Sequence, residues 1–299
     1  ATRGSWSSRL GTCPWYILTL SLNTYADTWK VQVLAFLSAS GGVGKTTMAL
    51  HVAHKFLEEG RRVLLVDLDP SVGLSSALLG ESKTAEMEDK GRTIGDALLR
   101  YVKGERVDLS EYLVEARLGG FRVDVVPGGD ALSDAMGRIW YSGDRPSPEL
   151  TLRRFLEAAG ASRWDFVIVD TLPFYERRYT LTAMYTADKI VVVTHPYGSE
   201  PLRVKRMYGK LAEVVNAGVD LKARVLINKV DVRTREGKEA YKIVERSLNI
   251  PRFQTIVTLR VSYTRVPEME YLRDKDARKE MESLFREIKD WLSVELAVY

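Results

Sequence analysis

The feature that most constrains this chain is a set of short apolar runs that do not alternate. "KIVVVT" at residues 189–194 is apolar almost throughout, whereas a strand wetted on one face would place a polar residue at every second position. The runs "VQVLAFL", "RVLLVDL", "RVDVVP", "DFVIVD", "ARVLIN" and "FQTIVT" recur along the sequence, separated by segments of 3.6-residue periodicity. Strands buried on both sides and alternating with helices predict an α/β fold: a doubly wound, mostly parallel sheet with helices on both faces. One domain is expected over residues 31–299. Residues 1–30 are expected to be an N-terminal extension of no firm fold that packs Trp6, Trp15 and Trp29 on it. Within the domain, "GESKTAEMEDKGRT" and "SGDRPSPEL" read as loops. The segment Asp274–Val294 reads as a helix with Leu284, Ile288, Trp291 and Leu292 on one stripe, packed against the sheet.

Composition removes several classes. With 45% apolar and 28% charged residues in 299, the chain is neither disordered nor collagenous. The apolar stretch "WYILTLSL" falls far short of the ~20 residues a membrane span requires, so no membrane insertion is expected. Arg3 and Arg9 ahead of that stretch do not make an export signal, because "TYADTW" is a poor cleavage site and the next segment is built for a phosphate ligand. Cys13 is the single cysteine, which excludes an internal disulfide and points to a reducing, cytoplasmic compartment. The net charge of +4 is unevenly spread: residues 201–242 hold eleven Lys or Arg against five Asp or Glu.

The phosphate ligand is read from "VLAFLSASGGVGKTTMALHVAHKF", which sets a glycine turn between a strand and a helix. Ser40, Gly41, Gly42, Val43 and Gly44 form the cradle, with backbone N–H groups turned inward above the positive end of the helix. In it Lys45 reaches the β and γ phosphates, Thr46 gives its hydroxyl to Mg2+, and Thr47 bonds the α phosphate. "RWDFVIVDTLP" ends a buried strand in Asp170, where a carboxylate holds the metal through its water shell. "RRVLLVDLDP" ends another in Asp67 and Asp69, read as metal-orienting and water-positioning groups.

Taken together, "SGGVGKTT", "VLLVDLDP" with 24 residues from Lys45 to Asp69, "DFVIVDTLP" and "LINKVD" resemble the ParA/MinD family of deviant P-loop ATPases over roughly residues 32–260. The resemblance implies a P-loop NTPase fold, ATP and Mg2+ as cofactors, and a homodimer that sandwiches ATP. It also implies slow hydrolysis stimulated by a partner such as a ParB-like centromere-binding protein. By the same resemblance Asp69 orients the attacking water, and Asn228 with Pro196 frames the adenine. "LINKVD" is also the guanine-reading pattern of many GTPases, with Asp231 as the acceptor, so the residues leave GTP open while the resemblance favours ATP.

The sequence departs from that family at three points. The signature lysine falls on Ser40, the glutamine after "DLDP" is Ser71, and "FYERRYT" follows the second metal motif. Arg177 or Arg178 in that last segment is the expected catalytic replacement for the missing lysine, the alternative being that both are solvated or contact DNA. The leading function is a partition ATPase for plasmid or chromosome segregation. It would bind DNA non-specifically through Arg203, Arg206 and Lys210 on one helix face and associate with the nucleoid. The alternative is a MinD-like or pilus-assembly-type localisation ATPase without DNA binding. Relatives bridged by an iron–sulfur cluster or zinc need paired cysteines, which one cysteine cannot supply.

Overall fold

The computed structural model describes residues 30–143, 147–215 and 219–293. The chain divides into two units, Ala1–Lys30 and Val31–Tyr299. The expected extension, with its tryptophans and Cys13, lies outside the described residues.

The second unit is built on a seven-stranded sheet of order β3-β4-β2-β5-β1-β6-β7. Its strands are β1 (Gln32–Ser38), β2 (Val63–Leu68), β3 (Val114–Leu118), β4 (Phe121–Val126), β5 (Phe166–Thr171), β6 (Lys189–Thr194) and β7 (Ala223–Ile227). All pairs are parallel except β3 with β4. The helices are α1 (Lys45–Glu58), α2 (Gly73–Leu79), α3 (Glu81–Asp89), α4 (Ile94–Val102), α5 (Ala131–Tyr141), α6 (Thr151–Ala158), α7 (Arg177–Thr186), α8 (Glu200–Val215), α9 (Val219–Lys222), α10 (Arg235–Ser247) and α11 (Lys275–Leu292). This is the doubly wound α/β architecture expected. From β1 the chain winds through α1 to β2 on one side, and from β5 it crosses back through α7 to β6 on the other. The winding therefore reverses at β1, and a crevice opens at the carboxyl ends of β1 and β5, where such sheets bind ligands.

Helix α1 is covered on several faces. Met48, Leu50, Val52 and Phe56 are buried, Phe56 stacks on Phe166 at 3.8 Å between ring centroids, and the edge of Phe285 closes on it at 4.9 Å. Phe285 belongs to α11, where Asp274 caps the first turn by accepting from the Asp276 and Ala277 N–H groups. Leu284, Ile288, Trp291 and Leu292 are buried as the stripe predicts, and each fully buried Leu or Ile contributes roughly 1.5–3 kcal/mol. Packing therefore fixes the helix that begins at Lys45.

Three local expectations are corrected. "FQTIVT" is not a ladder strand. Phe253 and Val257 donate to the Val225 and Ile227 carbonyls, but between them the Gln254 and Thr255 N–H groups turn to the Glu287 carboxylate of α11, each at 2.7 Å. Only isolated bridges remain, Arg252 to Val225 and Thr258 to Val230. The seventh strand is instead β3, whose Val114, Ala116 and Leu118 are buried while Glu115 and Arg117 are exposed, the alternation of an edge strand wet on one face. "GESKTAEMEDKGRT" holds helix α3, which buries only Thr84 and Met87, so its polar sequence hides its period. In "SGDRPSPEL" a single 3-10 turn covers Pro148–Leu150, and residues 144–146 lie outside the described set.

Candidate active site

The turn between β1 and α1 puts its glycines where an L side chain is strained. Gly42 has φ 74° and Gly44 φ 90°, and a Cβ on Gly44 would stand 2.4 Å from Asn228 Nδ2. The loop runs directly into α1, so its N–H groups lie at the positive end of that helix.

The parallel register sets the carboxylates. Asp170 on β5 lies opposite Phe36 of β1 and opposite Asp67 of β2. Lys45 Nζ donates to Asp170 Oδ1 at 2.5 Å and Thr46 Oγ1 donates to Asp170 Oδ2 at 2.6 Å. The Lys45–Asp170 pair is buried, with the side chains 5% and 1% exposed. Asp67 is fully buried; its Oδ2 accepts from the Ser75 N–H and hydroxyl, and its Oδ1 has no partner. Burial, with the neighbouring Asp170 charge, pushes its carboxyl up to about 7.

Asp69 is buried at the start of the turn after β2, where its Oδ1 accepts from the Ser71 N–H at 2.9 Å. That turn brings Gly73 back to Thr46, whose Oγ1 would lie 3.8 Å from a Cβ at Gly73. A Cβ on Gly41 would lie 3.6 Å from Pro173 Cβ, so the segment after β5 flanks the glycine loop. Thr47 is the third residue of α1.

Asn228 and Lys229 grip the outside of the loop. Asn228 Nδ2 donates to the Val43 carbonyl at 2.8 Å, and Lys229 Nζ donates to the Gly42 carbonyl at 2.5 Å. Asp231 is engaged by Arg233, through Nε at 2.9 Å and Nη2 at 3.1 Å. Pro196 lines a cavity of about 450 Å³ between α8 and α10, with Leu202 and Val244 among its walls. A larger cavity, about 740 Å³, follows the Asn228–Lys229 pair and is walled by Val230–Arg233 and by residues between Thr258 and Thr264. The Asn228 N–H donates to the Thr194 carbonyl at 2.7 Å, two residues before Pro196, so the two residues named for the base follow neighbouring strands; the sequence does not single out the Thr258–Thr264 wall, whose residues 253–258 have strand composition.

The cation at Ser40 is neither Arg177 nor Arg178. Glu176 caps α7 by accepting from the Tyr179 N–H, and Arg178 folds back on that cap, its Nε 2.7 Å from Glu176 Oε1 and its guanidinium 5.6 Å from the Tyr141 ring centre. Arg177 is exposed at the first residue of α7. Instead Arg203 of α8 donates from Nη1 to Ser40 Oγ at 3.0 Å. Lys210, two turns further on, lies over the Tyr175 ring at 4.5 Å, while Arg206 is exposed between them. Sequence reasoning placed all three on a solvent-facing stripe, and nothing in the local pattern signals that its first member reaches the glycine loop.

The donor set suits a nucleoside triphosphate with Mg2+. Among the described residues no group of three or more His, Cys, Asp or Glu side chains could hold a metal ion alone. Mg2+ instead keeps much of its water and takes one or two protein oxygens beside the substrate phosphates. Thr46, Asp170 and the unpartnered Asp67 Oδ1 offer such oxygens.

Residues 31–214 match the model of a protein family described as an AAA domain. The chain is 28% identical over 243 residues to the chromosome-partitioning ATPase Soj of Thermus thermophilus, covering 80% of this chain and 85% of that protein. Among solved structures, apo McdA of Cyanothece superposes with a TM-score of 0.69 at 19% identity, covering 88% of this chain and all of that one. The cobyrinic acid a,c-diamide synthase of Mycobacterium smegmatis, solved with an ATP analog and magnesium, superposes with a TM-score of 0.64 at 25% identity, covering 87% and 96%.

Proposed function

The chain belongs to the ParA/MinD-type P-loop ATPases of the AAA-domain family, and from that premise we propose that it binds ATP with Mg2+ at residues 40–47, hydrolyses it slowly, and acts in partitioning DNA. The observation that carries this reading is the convergence of Lys45 and Thr46 on Asp170 beneath a loop whose N–H groups are free to face a phosphate. Lys45 orients the β and γ phosphates, Thr46 with Asp67 and Asp170 holds the metal and its waters, and Thr47 meets the α phosphate. Mg2+ neutralises charge on the phosphates when bound. Asp69 positions the attacking water. ATP is favoured over GTP because Asp231, the acceptor a guanine would need, is already held by Arg233. The base lies beside Asn228, between the segment that carries Pro196 and the 740 Å³ cavity walled by Val230–Arg233. Calorimetry with ATP and GTP tests the assignment: tighter GTP than ATP binding would keep the fold and overturn the base.

In the same reading the ATP-bound chain forms a homodimer, binds duplex DNA without sequence preference, associates with the nucleoid, and has its hydrolysis stimulated by a ParB-like protein. No described helix is long and apolar enough to cross a membrane. With Arg203 drawn to Ser40, Arg206 and Lys210 are the DNA contacts on α8. Each phosphate neutralised contributes about 0.9 to the log–log salt slope, so replacing Arg206 and Lys210 by Ala is expected to lower it by up to about 1.8. The check is binding of non-specific duplex across a salt series, with and without ATP. Lys210 over Tyr175 favours the second reading, a localisation ATPase without DNA binding, because that cation is already in use. An unchanged slope and affinity in the double variant would select it.

A further inference from the structure

We propose that Arg203 and Ser40 act as a pair on the γ phosphate of the nucleotide bound by their own chain, Arg203 supplying the charge and Ser40 a polarised hydroxyl. The inference rests on the ATP site above and goes beyond it by assigning a second cation.

The two residues are 163 apart in sequence, and their hydrogen bond, Arg203 Nη1 to Ser40 Oγ at 3.0 Å, brings a guanidinium to the entry of the glycine loop. Because Ser40 accepts, its own O–H is free to donate to an oxygen in the cradle, and accepting from a cation makes it a better donor. Guanidinium carries five N–H donors in a planar fork suited to phosphate, and only one is used here. The hydrogen bond to Ser40 is the contact the guanidinium makes, and among the described residues no carboxylate forms an ion pair with Arg203. Lys45, by contrast, already shares Asp170 with Thr46. The loop is therefore served by one neutralised cation inside, while Lys229 is spent on the Gly42 carbonyl and Arg203 keeps most of its donors free at the Ser40 end.

The placement is held by packing. Val204, Met207, Tyr208 and Leu211 bury the opposite face of α8, and the Tyr208 hydroxyl donates to Asp220 at 2.8 Å. Lys210 rests on Tyr175, two residues beyond the Pro173 that abuts Gly41, so α8 and the segment after β5 approach the loop from one side. A lysine at residue 40 would put a second cation against Arg203 and repel it. The serine is thus the residue type that lets Arg203 reach the loop.

The test is calorimetric affinity of the full chain for ATP and ADP, each with Mg2+, in Arg203→Ala, Arg203→Lys and the double variant Ser40→Lys with Arg203→Ala. Arg203→Ala is expected to weaken ATP by about tenfold or more, in line with loss of a charge-assisted bond, while ADP, which lacks the γ phosphate, changes less than threefold. Arg203→Lys should retain part of the preference for ATP, and the double variant should regain most of it. Arg203 is exposed, and equal melting temperatures of the variants confirm that folding is not the cause. ATP binding by Arg203→Ala at the wild-type affinity overturns the proposal, as does an equal loss for ATP and ADP. Wild-type protein that binds neither nucleotide would instead refute the ATP site itself.

Discussion

Lys45→Ala is expected to weaken ATP binding at least tenfold and to lower the stability of the ligand-free protein as well. The Lys45 ammonium provides a charge-assisted contact worth roughly 1.5–3 kcal/mol to a phosphate, and no other lysine lies within the glycine loop. In the absence of ligand it neutralises Asp170, which is 1% exposed and keeps only the Thr46 hydroxyl if the lysine is removed. Breaking one side of a buried pair costs about 3–5 kcal/mol, because the charge left behind is desolvated. The two losses separate in a double variant. Asp170→Asn added to Lys45→Ala should recover much of the melting temperature without recovering ATP affinity. Calorimetry showing wild-type affinity in Lys45→Ala would remove the central claim.

Asp69→Ala is expected to reduce turnover by about a hundredfold to ten-thousandfold, the range for a positioned base or water-orienting group, while ATP affinity stays within a few-fold. The carboxylate is held from one side only: Oδ1 accepts from the Ser71 N–H, and Oδ2 makes no hydrogen bond among the described residues, which leaves it for a water. A group that acts on the transition state changes kcat, whereas the loop and Lys45 set ground-state affinity. Because Asp69 also braces its own turn, Asp69→Asn is the companion variant, since an amide oxygen can still accept from Ser71. Equal loss of binding and turnover in both variants would assign Asp69 a structural role.

The clustering of Lys45, Thr46 and Asp170 was legible in the sequence because Asp170 sits at the end of β5 and Lys45 and Thr46 open the helix that follows β1 through the glycine loop, and parallel pairing of β1 with β5 carries both to one edge of the sheet. Continuous apolar runs marked six of the seven strands. The departures have more than one cause, competition for a backbone or a charge foremost among them. "FQTIVT" has strand composition, but Glu287 of α11 takes two of its N–H groups. Arg177 and Arg178 are close in sequence to Asp170, but Glu176 holds Arg178 at the helix cap. Arg203 lies on a stripe that any single-helix reading assigns to solvent, and only the packing of α8 on β6, the strand next to β1, brings it to Ser40. The edge strand β3 alternates and so escaped a search for continuous runs.

The grip of Asn228 and Lys229 on the Val43 and Gly42 carbonyls bears on the entropy of recognition. A glycine-rich segment left to itself samples many backbone states, and a ligand that must freeze them loses affinity in proportion. Here two side chains that follow β7 have already chosen the state by holding two of its carbonyls. A phosphate therefore meets a rigid receptor, and its binding free energy is not spent on ordering the peptide. Substitution at either position would be felt as a softer receptor, even though neither bond made by these side chains is to a phosphate.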